Sequence, residues 1–231
     1  MTLKRLFSPI LVSAFAAALL SACATGPTLQ EKVSGLVISS ERALESFKSD
    51  PDETMRTFQK MMPDAKAVMI FPGVIKAGFI IGGEYGNGLL LSRLEGGGWS
   101  YPAFYTLAAG SIGLQIGGEA ADTIMVIRSE KALEAVIKHQ GKLGAELNLT
   151  FGTVGPGIEA STTANLGADI VVFARSAGLF AGGSIEGAAL IRRNDYNAVY
   201  YGEGAEPRAI LSGSGFTNTG ADGLRARLGT F

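Results

Sequence analysis

Very few side chains in this sequence could carry covalent chemistry. His139 is the only histidine and Cys23 the only cysteine, which leaves little room for Ser-His or Cys-His nucleophilic arrangements and none for a multi-histidine metal site or an internal disulfide. His139 follows Lys138 near the end of a predicted helix, where a cation suits the helix dipole. No Gly-x-Ser-x-Gly elbow, phosphate-binding glycine loop with its lysine, or Cys-x-x-Cys pair occurs, and Gly155-Pro156-Gly157 reads as a turn. Three carboxylates, Glu84, Glu119 and Glu186, lie on or just after Gly-Gly pairs. A glycosidase pair would need a fixed separation and one raised pKa, and spacing supplies neither, so they read as turn glutamates. No catalytic residue, metal ligand or cofactor is expected. What remains is a set of cations suited to phosphate: Lys32, Arg42 and Lys48 on an amphipathic segment, and Lys66, Lys76, Arg93, Arg192 and Arg193 at strand ends.

The one cysteine has a distinctive context. Met1 to Arg5 carries two cations, and Leu6 to Leu20 carries no charge and is rich in Ala, Leu, Val and Phe. That is the pattern of a signal peptide, shorter than the roughly 20 apolar residues of a stable span. It ends in Leu20-Ser21-Ala22-Cys23, which resembles the bacterial lipobox. The expectation is a precursor cut before Cys23, with 1–22 as signal peptide, 23–28 as lipidated tether, and palmitate-type acyl chains on Cys23. Several chains at about 0.8 kcal/mol per buried methylene anchor a protein durably. Ala24, in place of Asp, favours the outer membrane, with the body on the periplasmic face.

Net charge is -1, and -3 once Lys4 and Arg5 are set aside, so nothing draws this chain to nucleic acid. Glycine is the outlier at 32 of 231 residues, about twice ordinary usage. It has no collagen period and sits among apolar residues, which points to tight turns, bulges and bent strands.

The elements that must position the cations follow from periodicity. Leu29, Val33, Leu36, Val37, Leu44 and Phe47 fall on one helical face, with Lys32, Arg42 and Lys48 among the polar residues opposite. Asp50, Pro51, Asp52 and Glu53 signal a second helix with Met55, Phe58 and Met62 inward, stopped by Pro63. The period then changes to two. Strands are expected at Ala67–Phe71, ended by Pro72-Gly73, at 78–83, 88–93 and 123–127, around the alternation Ile112, Leu114, Ile116, around Leu147, Leu149, Phe151, and at 170–173, 187–191 and 198–201. Ser129 caps one interior helix from Glu130 to His139, and Pro207 onward holds one or two short helical turns. A faint echo links 81–93 with 181–192, which two glycine-opened hairpins would explain.

Several blocks resemble the SYLF domain: Ile70-Phe71-Pro72-Gly73, Lys76-Ala77-Gly78-Phe79 with Gly82-Gly83 and Gly88, Gly98-Trp99-Ser100-Tyr101-Pro102-Ala103, Gly110 to Gly118, Gly155-Pro156-Gly157, Ser176 to Gly182, and Asn197 with Tyr200-Tyr201-Gly202. They cover about Val33 to Ser214. The resemblance implies an α+β fold, an N-terminal helix pair packed on a curved, mostly antiparallel β-sheet or barrel-like structure with one interior helix. The domain spans 29–215, and 216–231 is a C-terminal tail. It also implies binding of acidic phospholipids. This chain shows no SH3 or FYVE partner domain, so the actin and phosphoinositide roles are not carried over. The expected function is a membrane-anchored lipoprotein that binds anionic phospholipids without catalysis. The alternative is a structural or protein-interaction module of the cell envelope, docking a protein on its sheet edges or glycine-lined face. The apolar face of the first helix has two readings, contact with the membrane interface or packing on the sheet.

Overall fold

The computed structural model describes residues 26–78, 81–112, 117–138, 141–142, 149–154, 167–176 and 188–231. Helix α1 spans Leu29–Ser49 and opens with a capping box: Thr28 Oγ1 accepts the Glu31 N–H at 3.2 Å while Glu31 Oε2 accepts the Thr28 N–H at 2.7 Å. Helix α2 spans Glu53–Met61. It begins later than its sequence signals suggest because Asp50 ends α1 and spends its carboxylate on the Asp52 N–H. Helix α3, Glu130–Lys138, buries Leu133, Val136 and Ile137 as the periodicity requires.

The strands are β1 (Ala67–Gly78), β2 (Ile81–Ser92), β3 (Ala103–Ile112), β4 (Gly117–Ile127), β5 (Gly141–Lys142), β6 (Phe151–Val154), β7 (Ile170–Ser176) and β8 (Ala189–Arg192). They form one sheet in the order β5-β8-β3-β2-β1-β4-β7-β6, curled, with β5 contributing only two residues. Every pairing is antiparallel except β6 with β7. The α+β class and the mostly antiparallel sheet are therefore as expected.

Alternation along the strands splits the core in two. Val68, Ile70, Leu89, Leu91, Phe104, Ile124, Val126, Val171 and Phe173 face α1 and α2, whereas Met69, Phe71, Leu90, Tyr105, Met125, Ile127 and Val172 face α3. A period-two chain buried on both faces reads as a continuous apolar run, which is what Ala67–Phe71 and 123–127 display. On the α1 side Phe58 is the hub: its ring meets Phe47, Phe173 and Phe231 edge-on at 5.6, 5.5 and 5.5 Å.

Three sequence expectations are corrected. Residues 81–83 and 88–92 are not two strands of a hairpin turning at Tyr85-Gly86-Asn87 but parts of one strand, β2, because β3 runs alongside without a break and pairs Tyr85, Gly86 and Asn87 with Ala108, Leu107 and Thr106. Pro72-Gly73 does not end β1. It forms a bulge, with Gly73 at φ 62°, after which pairing resumes with both neighbours as far as Gly78. Residues 198–201 are not a strand but the end of helix α4, Asn194–Tyr201. Their β-forming tyrosines are held in a helix by tertiary contact: Tyr196 and Tyr200, four apart, both pack edge-on against Phe104, and the Asn197 carboxamide accepts the Phe104 N–H at 2.9 Å. Short helices α5 (Pro207–Leu211) and α6 (Asp222–Leu228) follow.

The segment 216–231 folds back onto α1. Leu224 and Leu228 are fully buried, and Arg227 pairs with Glu41 at 2.6 Å and Glu45 at 2.5 Å. The Trp99-Ser100-Tyr101-Pro102 block fastens this segment. Arg225 Nε donates to the Trp99 carbonyl at 2.9 Å and Tyr101 donates to Asp222 at 2.8 Å; the same block also holds α4, where Tyr201 donates to the Pro102 carbonyl at 2.7 Å. Residues 155–166 and 177–187, with the opening of the second half of the internal echo, lie outside the described residues, as do Phe79, Leu114, Ile116, His139 and Leu147.

Two glycines give opposite predictions. A Cβ at Gly88 would sit 2.3 Å from the Phe71 ring and 2.4 Å from the Ile70 carbonyl oxygen, so Gly88→Ala should destabilise by at least the roughly 1–3 kcal/mol of overpacking. Gly35 lies inside α1 with nothing near its Cβ position, so Gly35→Ala should stabilise by about 0.5–1 kcal/mol; denaturant unfolding of both variants checks the pair. Burial also pushes the Tyr200 phenol up to about 12 from its ordinary 10.0, and raises Tyr105 and Tyr201 further. The folded state thus holds these protons more tightly than the unfolded chain. Stability should be intact below about pH 10 and should fall as pH rises through 12, read as unfolding coincident with tyrosinate absorbance.

Candidate ligand-binding surface

The α1 side of the sheet changes character along the strands. Past the apolar core comes a polar row, in which Asp122 is paired in register with Arg175 and Thr106 lies between Asn87 and Ile191. The Pro72-Gly73 bulge of β1 sits at the same level, its Gly73 N–H donated to Asp122 Oδ1 at 2.9 Å. Past the bulge the registered positions are Ala120, Ile75, Tyr85 and Ala108, and then Gly118, Ala77, Gly83 and Gly110. No charge stands on these eight positions. Ile75 and Tyr85 are 58% and 52% exposed, and α1 adds Ile38 at 49%.

Helix α1 lies over the polar row, and its two flanks differ. One carries Glu41 and Glu45, which Arg227 occupies. The other carries Leu36, Ser39, Arg42, Ala43 and Ser46, which form one wall of a cleft of about 510 Å³; Pro72, Gly73 and Asp122 form the opposite wall. The volume falls within the roughly 300–1,000 Å³ of small-molecule pockets.

The eight cations picked out from sequence have different fates. Lys48 donates to Thr230 at 2.5 Å and lies over the Phe231 ring, so it pins the C-terminus. Arg93 stacks on Trp99 and donates to the Ala65 and Met62 carbonyls at 3.0 and 2.9 Å. Arg192 donates to the Lys138 carbonyl at 2.7 Å. Arg193 grips Asp195 through two bonds of 2.8 and 2.7 Å, reaches Asn87 at 2.9 Å and lies over Tyr196; the Asp195 carboxylate raises its already high pKa. Lys76 pairs with Glu84 at 3.1 Å, both side chains largely shielded, and Lys66 approaches Glu130 at 3.8 Å across open solvent. Lys32 and Arg42, both exposed on α1, have no ion pair or side-chain hydrogen bond among the described residues.

The carboxylates Glu84 and Glu119 flank the lysine instead of each other. Both are register partners of Lys76, on the strands to either side of it. Their backbones are thus two strand spacings apart, about 9.5 Å. Glu186 lies outside the described residues, as does Cys23. No group of three or more His, Cys, Asp or Glu able to hold a metal ion occurs among the described residues. In a second groove, of about 700 Å³ between the β2–β3 turn, α3 and α5, Arg208 is occupied internally: it grips Glu134 at 3.0 and 2.9 Å and holds that carboxyl down to about 2.

Sequence reasoning missed the cleft. Its residues are two serines and an arginine on one helix and a lone aspartate in an apolar strand, joined only by the bulge. The usable signal was Pro72-Gly73 interrupting an apolar run whose alternation continues beyond it.

An α+β domain with a helix over a curled antiparallel sheet is the class this geometry defines, and comparison with known proteins places it. Residues 108–231 match the family model Ysc84, described as Las17-binding protein actin regulator. Protein YSC84 of Saccharomyces cerevisiae is 36% identical over 143 residues, 61% of this chain and 31% of that protein. LAS seventeen-binding protein 3 of the same yeast is 33% identical over 170 residues, 71% and 37%. SH3 domain-containing YSC84-like protein 1 of Xenopus laevis is 36% identical over 161 residues, 68% and 48%. This chain belongs to the Ysc84 (SYLF) family, and spans about a third to a half of the length of these relatives.

The division among the cations makes a prediction. Lys48→Ala and Arg93→Ala should each destabilise, by about 1–3 kcal/mol for lost hydrogen bonds and ring contact. Lys32→Ala and Arg42→Ala should stay within about 0.5 kcal/mol of the parent, as exposed substitutions do. Thermal unfolding of the four variants separates the two groups.

Proposed function

We propose that this protein is a non-catalytic, membrane-associated member of the SYLF family that binds anionic phospholipid through Lys32 and Arg42, and that acyl chains on Cys23 hold it at the outer membrane, on the periplasmic face. The observation that carries this reading is that these two cations alone, of the eight, are unengaged among the described residues, and that the nearby sheet face exposes Ile75 and Tyr85 without any charge.

The magnitudes explain why an anchor belongs to the account. A cation near an anionic surface gains about 1 kcal/mol, so two give a weak contact that concentrated anionic vesicles can reveal but that does not by itself hold a free protein durably at a membrane, and a net charge of -3 beyond the signal peptide opposes it. A tether a few residues long supplies an effective concentration in the millimolar range, at which weak headgroup contact becomes appreciable. Membrane attachment in this account rests on the lipid and not on a span: no helix among the described residues is long and apolar enough to cross a bilayer.

A second reading is a protein-docking module of the envelope. The uncharged Ala/Gly positions around Ile75 and Tyr85 favour it, as do the relatives' names, which carry Las17 binding and SH3 domains.

Vesicle flotation of the chain from Gly26 onward distinguishes the readings. Retention on phosphatidylglycerol vesicles that weakens with salt, and weakens several-fold in Lys32→Gln/Arg42→Gln, is the expected result. Equal retention on neutral vesicles, or none on either, would turn the assignment toward a protein partner.

A further inference from the structure

The cleft beside Arg42 has a charge pattern that a simple anion site lacks. Arg42 stands on the helix wall and Asp122 on the sheet wall, and among the described residues no ion pair or hydrogen bond joins them. Asp122 has one oxygen engaged, accepting the Gly73 N–H at 2.9 Å, which leaves Oδ2 for another donor. The register neighbour of Asp122, Arg175, is already paired with Asp50 at 3.0 Å and adds no net charge. The cleft is thus neutral overall, with a positive and a negative group on opposite walls and the Ser39 and Ser46 side chains beside the positive one. A bare anion drawn to Arg42 meets the carboxylate across the gap, and a bare cation drawn to Asp122 meets the guanidinium. A ligand carrying both charges satisfies both walls.

We propose that this cleft binds a zwitterionic phosphoethanolamine group, its phosphate on Arg42 and its ammonium on Asp122. Arginine's planar fork suits phosphate oxygens, and a primary ammonium donates up to three hydrogen bonds, one of them to the free carboxylate oxygen. The same chemistry disfavours a choline group. Trimethylammonium has no N–H to donate and is normally held by aromatic cages, and no aromatic side chain lines this cleft. The headgroup reaches the cleft from the side where the uncharged Ile75 and Tyr85 strip continues along the sheet, a surface on which the glycerol and first acyl methylenes can lie. This inference rests on the lipid-binding reading and adds to its contact with an anionic surface a net-neutral headgroup held individually in the cleft.

The test uses full-length protein in non-ionic detergent micelles, titrated with glycerophosphoethanolamine, glycerophosphocholine, glycerophosphoglycerol and free phosphoethanolamine, following the Gly73 backbone amide by NMR. Glycerophosphoethanolamine should move that amide and bind about ten-fold or more tightly than glycerophosphocholine, the ratio of one charge-assisted hydrogen bond. Asp122→Asn keeps the acceptor for Gly73 and should bring the ethanolamine compound down to the choline level; Arg42→Gln should abolish both. Free phosphoethanolamine binding more tightly than the glycerol diester would assign the site to a soluble metabolite instead of a lipid headgroup. Equal binding of ethanolamine and choline compounds, unchanged binding by Asp122→Asn, or a still Gly73 amide overturns the proposal. Phosphatidylglycerol flotation is read independently. Flotation with a failed titration removes only the headgroup assignment, and a successful titration without flotation removes only the anionic-surface reading.

Discussion

The docking of α1 on the sheet is the interaction on which everything else depends. Val33, Val37, Leu44 and Phe47 are buried to within 1% of complete, and at about 1.5–3 kcal/mol per fully buried large apolar side chain they contribute roughly 6–12 kcal/mol of gross stabilisation. That is comparable to the whole net stability of a domain. A bilayer interface would return only part of it, since an interfacial helix sinks one face a few ångströms into the headgroup boundary. The apolar face of α1 is therefore committed to the fold, and its membrane-facing alternative is left with flanks. One flank is held by Arg227, and the other, with Lys32 and Arg42, overlooks the β1 bulge.

The same commitment explains why the recognisable blocks of sequence are structural. Trp99 and Tyr101 bind the end of the chain through a backbone carbonyl and a phenol, the Pro102 carbonyl holds Tyr201 of α4, and Ser100 Oγ accepts the Ser92 N–H at 3.0 Å. Gly88 exists so that Phe71 can cross it. Asn197 fastens α4 to β3. These positions define a family by its architecture, while the surface with unengaged charge uses ordinary residues: an arginine, two serines and an aspartate.

Much of the architecture was legible in sequence for specific reasons. The extent of α1 and the inward residues of α2 and α3 follow from a 3.6-residue period with clear caps, and the central strands from apolar runs of strand length. What failed was governed by contacts distant in sequence. Pro72-Gly73 is ordinary chain punctuation until β2 and β4 pair beyond it and turn it into a bulge. Tyr196 and Tyr200 carry β propensity until Phe104 offers them an edge-on partner across the helix. The cations fared similarly: being charged at a strand end is a local property, whereas being unengaged is not. Arg93 reaches carbonyls 28 and 31 residues away, and Arg193 reaches Asn87, 106 residues away. The cleft was illegible because its walls come from α1, β1 and β4, and only their packing makes one site of them.

The most direct test of this account is hydrogen exchange of the α1 amides between Val33 and Phe47, with and without phospholipid vesicles. If the helix meets lipid only by its Lys32 and Arg42 flank, those amides keep their protection on binding, and slowed exchange appears at Gly73 across the cleft. Loss of protection through α1 when vesicles are added would show the helix leaving the sheet to lie in the membrane, and would contradict the account at its base.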